Sequence, residues 1–247
     1  MRLPTFLLID GAYSVARLLG LIGGVSPQST PIYYRHLNDA AQASRGGDSS
    51  MPLLLYALDY GVMAGHYHAG RWDEFRAEVV AAAERLNAGG ATALVITSNT
   101  THIAAEAASS ATGLPVIHII DALAATLKKD DIRRPLLLGT QFVMEGDYYL
   151  QAFERRFGAA PMVPDPVDRA LVSKIIFEEL ARGVVRAQSR EDIQLVLARA
   201  AANGADAVIL GCTELCMICD DAEGRLPSYD TTLIHARAAA SYALRRE

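Results

Sequence analysis

Short runs of apolar residues alternate along the chain with longer stretches in which apolar positions recur every three or four residues. The runs predict strands that are buried on both faces, and the longer stretches predict amphipathic helices. In the first half, strands are expected at residues 18–24, 53–60, 91–97 and 114–119, and helices at residues 30–43, 72–88 and 104–111.

The same alternation starts again in the second half of the chain. Strands are expected at residues 135–139, 160–163 and 205–211, and helices at residues 145–157, 168–182, 190–203 and 231–246. Apolar strands that alternate with helices are typical of parallel sheets covered by helices on both faces. The sequence therefore predicts an α/β fold with mainly parallel sheets.

A short internal repeat divides this pattern into two. Residues 90–96 read GATALVI and residues 204–210 read GADAVIL, and each segment follows an alanine-rich helix and ends in small polar residues. The repeat indicates two similar α/β halves, each with a polar loop at the C-terminal end of a strand, where ligands bind in open α/β sheets. The alternative is a chance likeness between alanine-rich strand–helix units.

The composition narrows the class of protein. The chain has 247 residues, of which 51% are hydrophobic, and a formal net charge of −5. The apolar content supports a folded core, and the length fits one large domain or two small ones. No apolar run reaches the ~18 residues that cross a bilayer, so no membrane association is expected. A nucleic-acid partner is not expected either, because an acidic surface repels phosphates.

The cysteines and the N-terminal residues indicate the cellular compartment of the protein. The three cysteines, Cys212, Cys216 and Cys219, are odd in number and clustered, which argues against a disulfide-stabilised secreted protein. Asp10 interrupts the first apolar patch and no A-x-A-like cleavage site follows it, so no signal peptide is expected. We interpret residues 1–17 as an extension and predict a cytoplasmic protein.

Motifs for metals and cofactors are weak. The C-x-x-x-C-x-x-C spacing resembles an iron–sulfur ligand set of radical enzymes, but only 28 residues follow Cys219, too few for the rest of such a site. Three thiols without a nearby histidine also make a poor zinc site. The segment GGVSP at residues 23–27 lacks the spacing of a dinucleotide loop. Neither a metal nor a cofactor is expected.

Two polar segments follow the repeated strands. Cys212 comes directly after Gly211, and a helix beginning there would lower the thiol pKa; the alternative is a buried, inert thiol. In the first half, residues 97–101 carry five consecutive hydroxyl or amide side chains before His102. They predict a cradle for a carboxylate, with simple helix capping as the alternative. Lys174 either points a charge into a cleft or lies at the surface.

These segments, in this order, resemble the aspartate/glutamate racemase family from about residue 19 onward. The matching segments include GLIGGVS at residues 20–26, NTTH at 99–102, IIFEEL at 175–180, LGCTEL at 210–215 and YDTTLIHA at 229–236. The resemblance implies two α/β domains related by a pseudo-twofold, with one active site in the cleft between them and a homodimer as the assembly. We expect one domain over residues 1–120 plus 229–247 and the other over 121–228.

The family's reaction, which uses no pyridoxal phosphate, moves the α-proton of an acidic amino acid between two cysteines on opposite faces of the substrate. Cys212 matches the second cysteine. The match of the NTTH segment sets Thr97 at the place of the first cysteine, whereas the internal repeat sets Ser98 there. An alcohol cannot replace a thiol as a base, so the resemblance implies a racemase that favours the L-substrate, with Cys212 as its base.

Other functions and contacts also follow from the resemblance. The alternatives are a single-cysteine decarboxylase of the arylmalonate type and a binder of acidic ligands with weakened catalysis. Residues expected to bind substrate are Ser26, Ser98, Asn99, Thr100, Lys174, Thr213 and Glu214. Lys174 is expected to meet the distal carboxylate of aspartate or glutamate, and a charge-assisted bond there would select acidic amino acids.

Overall fold

The computed structural model describes residues 17–219 and 226–245. Apart from Arg17, the predicted N-terminal extension lies outside these residues. The described parts of the chain form two three-stranded parallel sheets and ten α-helices. None of the helices in these parts is long and apolar enough to cross a membrane.

The first sheet has the strand order β2-β1-β3. Its strands are β1 (Leu19–Gly23), β2 (Leu53–Ala57) and β3 (Ala93–Ile96). In the parallel register, Leu21 of β1 lies beside Leu55 of β2 and Val95 of β3. The accompanying helices are α1 (Thr30–Arg45), α2 (Tyr60–His68), α3 (Trp72–Ala88), α4 (Ala105–Thr112) and α5 (Ile119–Lys129).

The second sheet has the strand order β4-β5-β6. Its strands are β4 (Pro135–Leu138), β5 (Ala207–Leu210) and β6 (Ser228–Asp230). The accompanying helices are α6 (Gln141–Glu145), α7 (Asp147–Phe157), α8 (Pro166–Glu178), α9 (Ala187–Ala202) and α10 (Thr231–Leu244).

The two sheets have the same topology. Val116 forms a parallel bridge with Leu94 at the β3 edge of the first sheet, and Met162 forms one with Leu136 at the β4 edge of the second. Counted along each half of the chain, the extended segments therefore lie in the order second, first, third, fourth in both sheets. This shared order confirms the predicted α/β fold of two similar halves.

Strand β3 of the first sheet is covered on both faces, as its apolar run predicts. Leu94 and Ile96 of β3 pack into one hydrophobic cluster together with Val79 of α3. Val95 packs into another cluster, on the opposite face, with Tyr33 of α1 and Ala239 of α10. The last helix of the chain thus returns to the first half, whereas β6, directly before it, belongs to the second sheet. The domain boundaries expected from the sequence stay a prediction.

The structure differs from the predicted elements where a helix begins soon after an apolar run. The strand expected at residues 53–60 ends at Ala57, because Asp59 caps α2 by accepting a hydrogen bond from the Val62 amide. The strand expected at residues 114–119 is reduced to the bridge at Val116, because the His118 side chain caps α5. Neither helix was predicted from the sequence.

Candidate active site

A cavity of about 690 Å³, counting its open mouth, lies between the two halves. The segments that follow β3 and β5 both line it, and Thr140, which follows β4, contributes from the second half. These segments lie at the C-terminal edges of their sheets, where ligands bind in α/β folds.

Cys212 lies in the wall of this cavity, two residues after the end of β5. Cys212 is 9% exposed, and its thiol donates a hydrogen bond to Oε2 of Glu214, with a distance of 2.9 Å between sulfur and oxygen. Gly211 brings the backbone close to β4: a Cβ atom at this position would lie 2.7 Å from the carbonyl oxygen of Leu138. The close approach of the two strand ends therefore requires glycine before the cysteine.

The expectation of a thiol with a lowered pKa is wrong. Burial, the negative charge of Glu214 and the hydrogen bond to that carboxylate raise the pKa of the Cys212 thiol well above its usual value. The chain after Cys212 forms only a short 3₁₀ turn at Leu215–Met217, so no helix N-terminus of useful length faces the sulfur. The thiol is therefore held in its neutral form.

Glu214 is a buried carboxylate at the same place. It is 5% exposed and lines the cavity. Its Oε2 accepts hydrogen bonds from the Cys212 thiol and, at 2.8 Å, from the Thr213 hydroxyl. Its other oxygen, Oε1, has no hydrogen-bond partner among the described residues. A buried carboxylate oxygen without a partner favours a ligand that donates to it, such as an ammonium group.

The loop after β3 contributes Ser98, Asn99 and Thr100 to the wall, as predicted. Thr97, which the resemblance placed opposite Cys212, is fully buried and does not line the cavity. Its hydroxyl donates to the carbonyl oxygen of Ile22 at 3.1 Å, within the first sheet. Thr97 therefore does not face the cavity, whereas Ser98, the position that the internal repeat pairs with Cys212, does.

Hydrogen bonds from other elements fix the loop after β3. The Asn99 amide donates to the Thr231 hydroxyl at 2.9 Å, and its oxygen accepts from the Tyr149 hydroxyl at 3.1 Å. The Tyr148 hydroxyl donates to the Asn99 backbone carbonyl at 2.6 Å. Both tyrosines are on α7, so the second half holds a cavity loop of the first half. One N–H of the Asn99 amide is not used in these bonds.

Two buried histidines, His102 and His235, support the region of the loop after β3. His102 Nε2 accepts from the Ile119 amide, so Nδ1 carries the proton and donates to the Ser98 carbonyl at 2.6 Å. His235 lies between Tyr33 and the Ile117 carbonyl. Burial is the first cause that lowers the pKa of both histidines, well below the usual value for His102 and to about 4 for His235. Neutral, buried rings of this kind position the loop and do not line the cavity.

Two further predicted residues have different outcomes. Ser26 lines the cavity, and its hydroxyl oxygen accepts from the Gln28 and Ser29 amides at 3.1 and 3.4 Å. Lys174 is exposed on α8 and does not line the cavity. From the same helix, Ile176 and Phe177 are in the wall instead. Lys174 itself is thus not part of the wall, and its contact with a distal carboxylate stays a prediction.

Helices α2 and α3 complete the wall. The family resemblance also implied that residues 59–66 line the cleft, and Tyr60, Met63 and Ala64 of α2 do so. Tyr67 of α2 and Phe75 of α3 were not predicted there. The helix itself was missed, although Asp59, directly before Tyr60, is a helix-capping residue. Cys216 does not line the cavity; its thiol donates to the Thr213 carbonyl at 3.2 Å. Across the described residues there is no cluster of three or more potential metal ligands.

Comparisons with known proteins agree with this geometry. Residues 22–239 match the model of the Asp/Glu/hydantoin racemase family. The structure is similar to that of a Yersinia pestis protein assigned to the Asp/Glu racemases, with a TM-score of 0.86 and 37% identity over 93% of this chain and 100% of that one. It is also similar to an aspartate racemase homologue from Pyrococcus horikoshii OT3, with a TM-score of 0.80 and 28% identity over the same shares.

A further relative is a racemase of broad specificity. The chain is 20% identical to the broad specificity amino-acid racemase RacX of Bacillus subtilis (strain 168) over 232 residues, which is 91% of this chain and 97% of that protein.

Proposed function

Because the chain belongs to the Asp/Glu/hydantoin racemase family, we propose that it is a cofactor-independent amino-acid racemase in which Cys212 removes the α-proton. The observation that carries this proposal is the meeting of a thiol from one half and a serine–asparagine–threonine loop from the other in a single cavity. A thiolate held at contact distance can act as a base at carbon. The polar loop supplies donors for the substrate's α-carboxylate.

Glu214 supplies the route by which the neutral thiol becomes a base. The hydrogen bond from Cys212 to Oε2 lies along the path of proton transfer. When the substrate binds, its α-ammonium group brings a positive charge to the cavity, which favours the thiolate. The thiol proton then passes to Glu214 Oε2, and the thiolate takes the α-proton. The electron pair of the broken C–H bond passes into the α-carbon and its carboxylate.

The carbanion needs donors that are already in place. Asn99 offers one amide N–H, and the hydroxyls of Ser98 and Thr100 lie in the same wall. Because α7 and Thr231 fix the Asn99 side chain, little reorganisation is required as charge develops on the carboxylate. We therefore assign the α-carboxylate to this loop.

The other face of the substrate meets Ser98 rather than a second thiol. A serine hydroxyl is a far weaker acid than a thiol, so its part is to hold a water molecule or to donate a proton weakly. Removal of the α-proton is then efficient only on the Cys212 side. We propose that Cys212 serves the L-amino acid and that the D-amino acid is used more slowly. Family membership alone supports aspartate or glutamate as the substrate.

Chiral chromatography of L-amino acids incubated with the protein tests this function. We expect D-product with the wild type and a loss of about 10²–10⁴-fold in Cys212→Ser, the range for removal of a general base. Cys216→Ser is the matched control, because serine can keep the hydrogen bond to the Thr213 carbonyl and this side chain is outside the wall. Full activity in Cys212→Ser would refute the role of the thiol.

A single-cysteine decarboxylase is the second candidate. It is favoured by one observation: among the described cysteines, Cys212 alone lines the cavity. Such an enzyme would protonate a carbanion formed by loss of CO₂. Release of CO₂ from an arylmalonate, together with no racemisation of any amino acid, would select this function over the racemase.

A further inference from the structure

We propose that Tyr67 is a positioning residue, which holds the Thr140 hydroxyl so that this hydroxyl donates its proton to the substrate's α-carboxylate; this inference rests on the proposed racemase function. Both side chains lie in the cavity wall, Tyr67 on α2 of the first half and Thr140 directly before α6 of the second half. A residue of one half thus sets a proton donor of the other.

The Tyr67 side chain reaches from α2 to the second half. Its ring centroid lies 6.0 Å from that of Phe142 and 5.6 Å from that of Phe177, and both of these rings belong to the second half. The Trp72 ring of the first half lies 5.6 Å from Tyr67 and stacks on Phe142. Aromatic contacts with three rings fix the direction of the Tyr67 ring and therefore the place of its hydroxyl.

The Tyr67 hydroxyl forms hydrogen bonds with the Thr140 side chain and with the backbone of Phe142. Burial raises the pKa of Tyr67, so the hydroxyl keeps its proton at neutral pH. The Phe142 amide is in the first turn of α6, where backbone amides have no acceptor within the helix, and an amide can only donate. The Tyr67 oxygen therefore accepts from this amide, and the one Tyr67 proton is left for the Thr140 oxygen.

The Thr140 oxygen has a second donor as well. The Val143 amide donates to Thr140 Oγ1 at 3.4 Å, which caps α6. Because a threonine hydroxyl has two acceptor positions and one proton, the Thr140 proton must point away from these two donors. Its remaining contact is with the Thr100 hydroxyl, and the 3.5 Å between the two oxygens is longer than an ordinary bond between hydroxyls. The Thr140 proton is therefore available to a ligand.

The ligand group beside Thr140 is the α-carboxylate. We assigned this group to the loop after β3, and Thr100 of that loop is the residue that Thr140 contacts. Negative charge grows on the carboxylate when the α-proton leaves, and a donor that is already oriented stabilises this charge without reorganisation. Without the Tyr67 hydroxyl, the Thr140 hydroxyl can rotate away from the carboxylate, and part of this stabilisation is lost.

Tyr67→Phe tests the inference, because phenylalanine keeps the ring and removes only the hydroxyl. We expect kcat/KM for L-glutamate racemisation, measured by chiral chromatography, to fall about tenfold, mainly through kcat, as for a lost hydrogen bond to a charged group. Tyr34→Phe, at an exposed position on α1, is the matched control and should leave kcat/KM unchanged. A Tyr67→Phe protein with the wild-type kcat would overturn the inference.

A double-mutant cycle separates an effect through Thr140 from a general loss of structure. Thr140→Val removes the hydroxyl that Tyr67 orients, so adding Tyr67→Phe to it should cost less than about twofold in kcat. In Thr140→Ser, which keeps a hydroxyl, Tyr67→Phe should again cost about tenfold. The full loss in the Thr140→Val background would show that Tyr67 does not act through Thr140, and the inference would be wrong.

Binding separates this inference from the proposed function. L-isoglutamine, the α-amide of L-glutamate, keeps the α-ammonium group and the side chain but lacks the α-carboxylate. In calorimetric titrations, Tyr67→Phe should weaken the binding of L-glutamate about threefold and that of L-isoglutamine less, because a charged acceptor makes the stronger hydrogen bond.

Equal losses for the two ligands would refute the inference, whether or not either ligand is turned over. If L-glutamate shows the larger loss but is not racemised, the proposed function fails and the inference stands. No binding of L-glutamate to the wild type would overturn both.

Discussion

The Cys212 thiol and the Glu214 carboxylate form one proton-sharing pair at the residue scale. Burial and the adjacent negative charge keep the proton on sulfur in the free protein. The same carboxylate accepts the hydrogen bond from that thiol. A raised thiol pKa is therefore compatible with base catalysis, because the proton has an acceptor inside the site and does not need to leave to solvent.

The pH dependence of the reaction tests this pair. With Glu214 present, we expect kcat/KM to change little between about pH 6.5 and 8.5, because the thiol proton moves within the site. In Glu214→Gln the proton must leave to solvent, so kcat/KM should be low and rise about tenfold per pH unit, as the thiolate fraction does below its pKa. Glu106→Gln, at an exposed position on α4, is the control. A flat profile with unreduced rate in Glu214→Gln would contradict this role.

A second residue-scale prediction separates Ser98 from Thr97. Ser98→Cys would place a thiol in the cavity wall and should raise the rate with D-amino acids by about 10–100-fold relative to the wild type, because a base is added on that face. Thr97→Cys should not, since this side chain is buried and bonded to Ile22. The measurement is the initial rate of D-to-L conversion for each variant. A gain in Thr97→Cys but not in Ser98→Cys would restore the placement that the resemblance implied.

At the scale of elements, the sequence predicted the buried strands β1, β3, β4 and β5 well. The strands expected at residues 114–119 and 160–163 are single bridges, and β6 was not predicted. Apolar runs such as that of β3 are specific because both faces of the strand are covered, by α3 and α4 on one side and by α1 and α10 on the other. The helices α2 and α5 were not predicted, because each begins with a single capping residue, Asp59 or His118, after an apolar run.

The candidate site was predicted in its loops but not in its side-chain directions. Successive side chains point to opposite sides as a chain leaves a strand, so a one-residue difference in alignment exchanged Thr97 for Ser98. Lys174 lies three residues before the wall residue Phe177 and so on the same side of α8, but helical periodicity does not show how far its exposed side chain reaches toward the cleft. The thiol pKa depended on burial and on Glu214, which sequence spacing does not reveal.

The packing of α10 against α1 and against the segment before α5 leads to a prediction about how the stability of the fold depends on pH. Burial lowers the pKa of His235 from 6.5 to about 4. Because the folded-state value is the lower one, His235 stabilises the fold above its unfolded pKa, and this contribution is lost as the pH falls toward about 4. We expect a fall of about 3 kcal/mol in the free energy of unfolding from this histidine between about pH 7 and 4.

Urea unfolding at several pH values measures this change in the free energy of unfolding. His235→Gln should lose this part of the pH dependence, while keeping groups that can bond the Ile117 carbonyl and the Tyr33 hydroxyl. His68→Gln, at an exposed position on α2, should retain the wild-type dependence. Identical slopes for His235→Gln and the wild type would show that the ring does not titrate as described.

At the scale of the whole molecule, two halves of like topology share one site, and hydrogen bonds across the boundary hold it. Tyr149 of α7 donates to the Asn99 side chain of the other half at 3.1 Å. Tyr149→Phe leaves that buried acceptor without its partner and should cost about 1–3 kcal/mol in the free energy of unfolding. It should also lower kcat, because Asn99 orients the α-carboxylate.

The control is Tyr242→Phe, whose hydroxyl bonds the Thr92 carbonyl at 3.3 Å near the surface. We expect only a small change in stability and none in kcat for this variant. A Tyr149→Phe protein with wild-type kcat would show that the contact between the halves does not set the loop geometry. Homodimer assembly and a cytoplasmic location stay predictions from the sequence, and neither enters these tests.

Exchange of the α-proton with solvent tests the central claim most directly. In D₂O, ¹H NMR should show loss of the Cα proton signal of an L-amino acid with the wild type and with Cys216→Ser. The signal should persist in Cys212→Ser. Exchange at the wild-type rate in Cys212→Ser, or faster exchange of the D-amino acid than of the L-amino acid, would contradict the assignment of Cys212 as the base for the L-substrate.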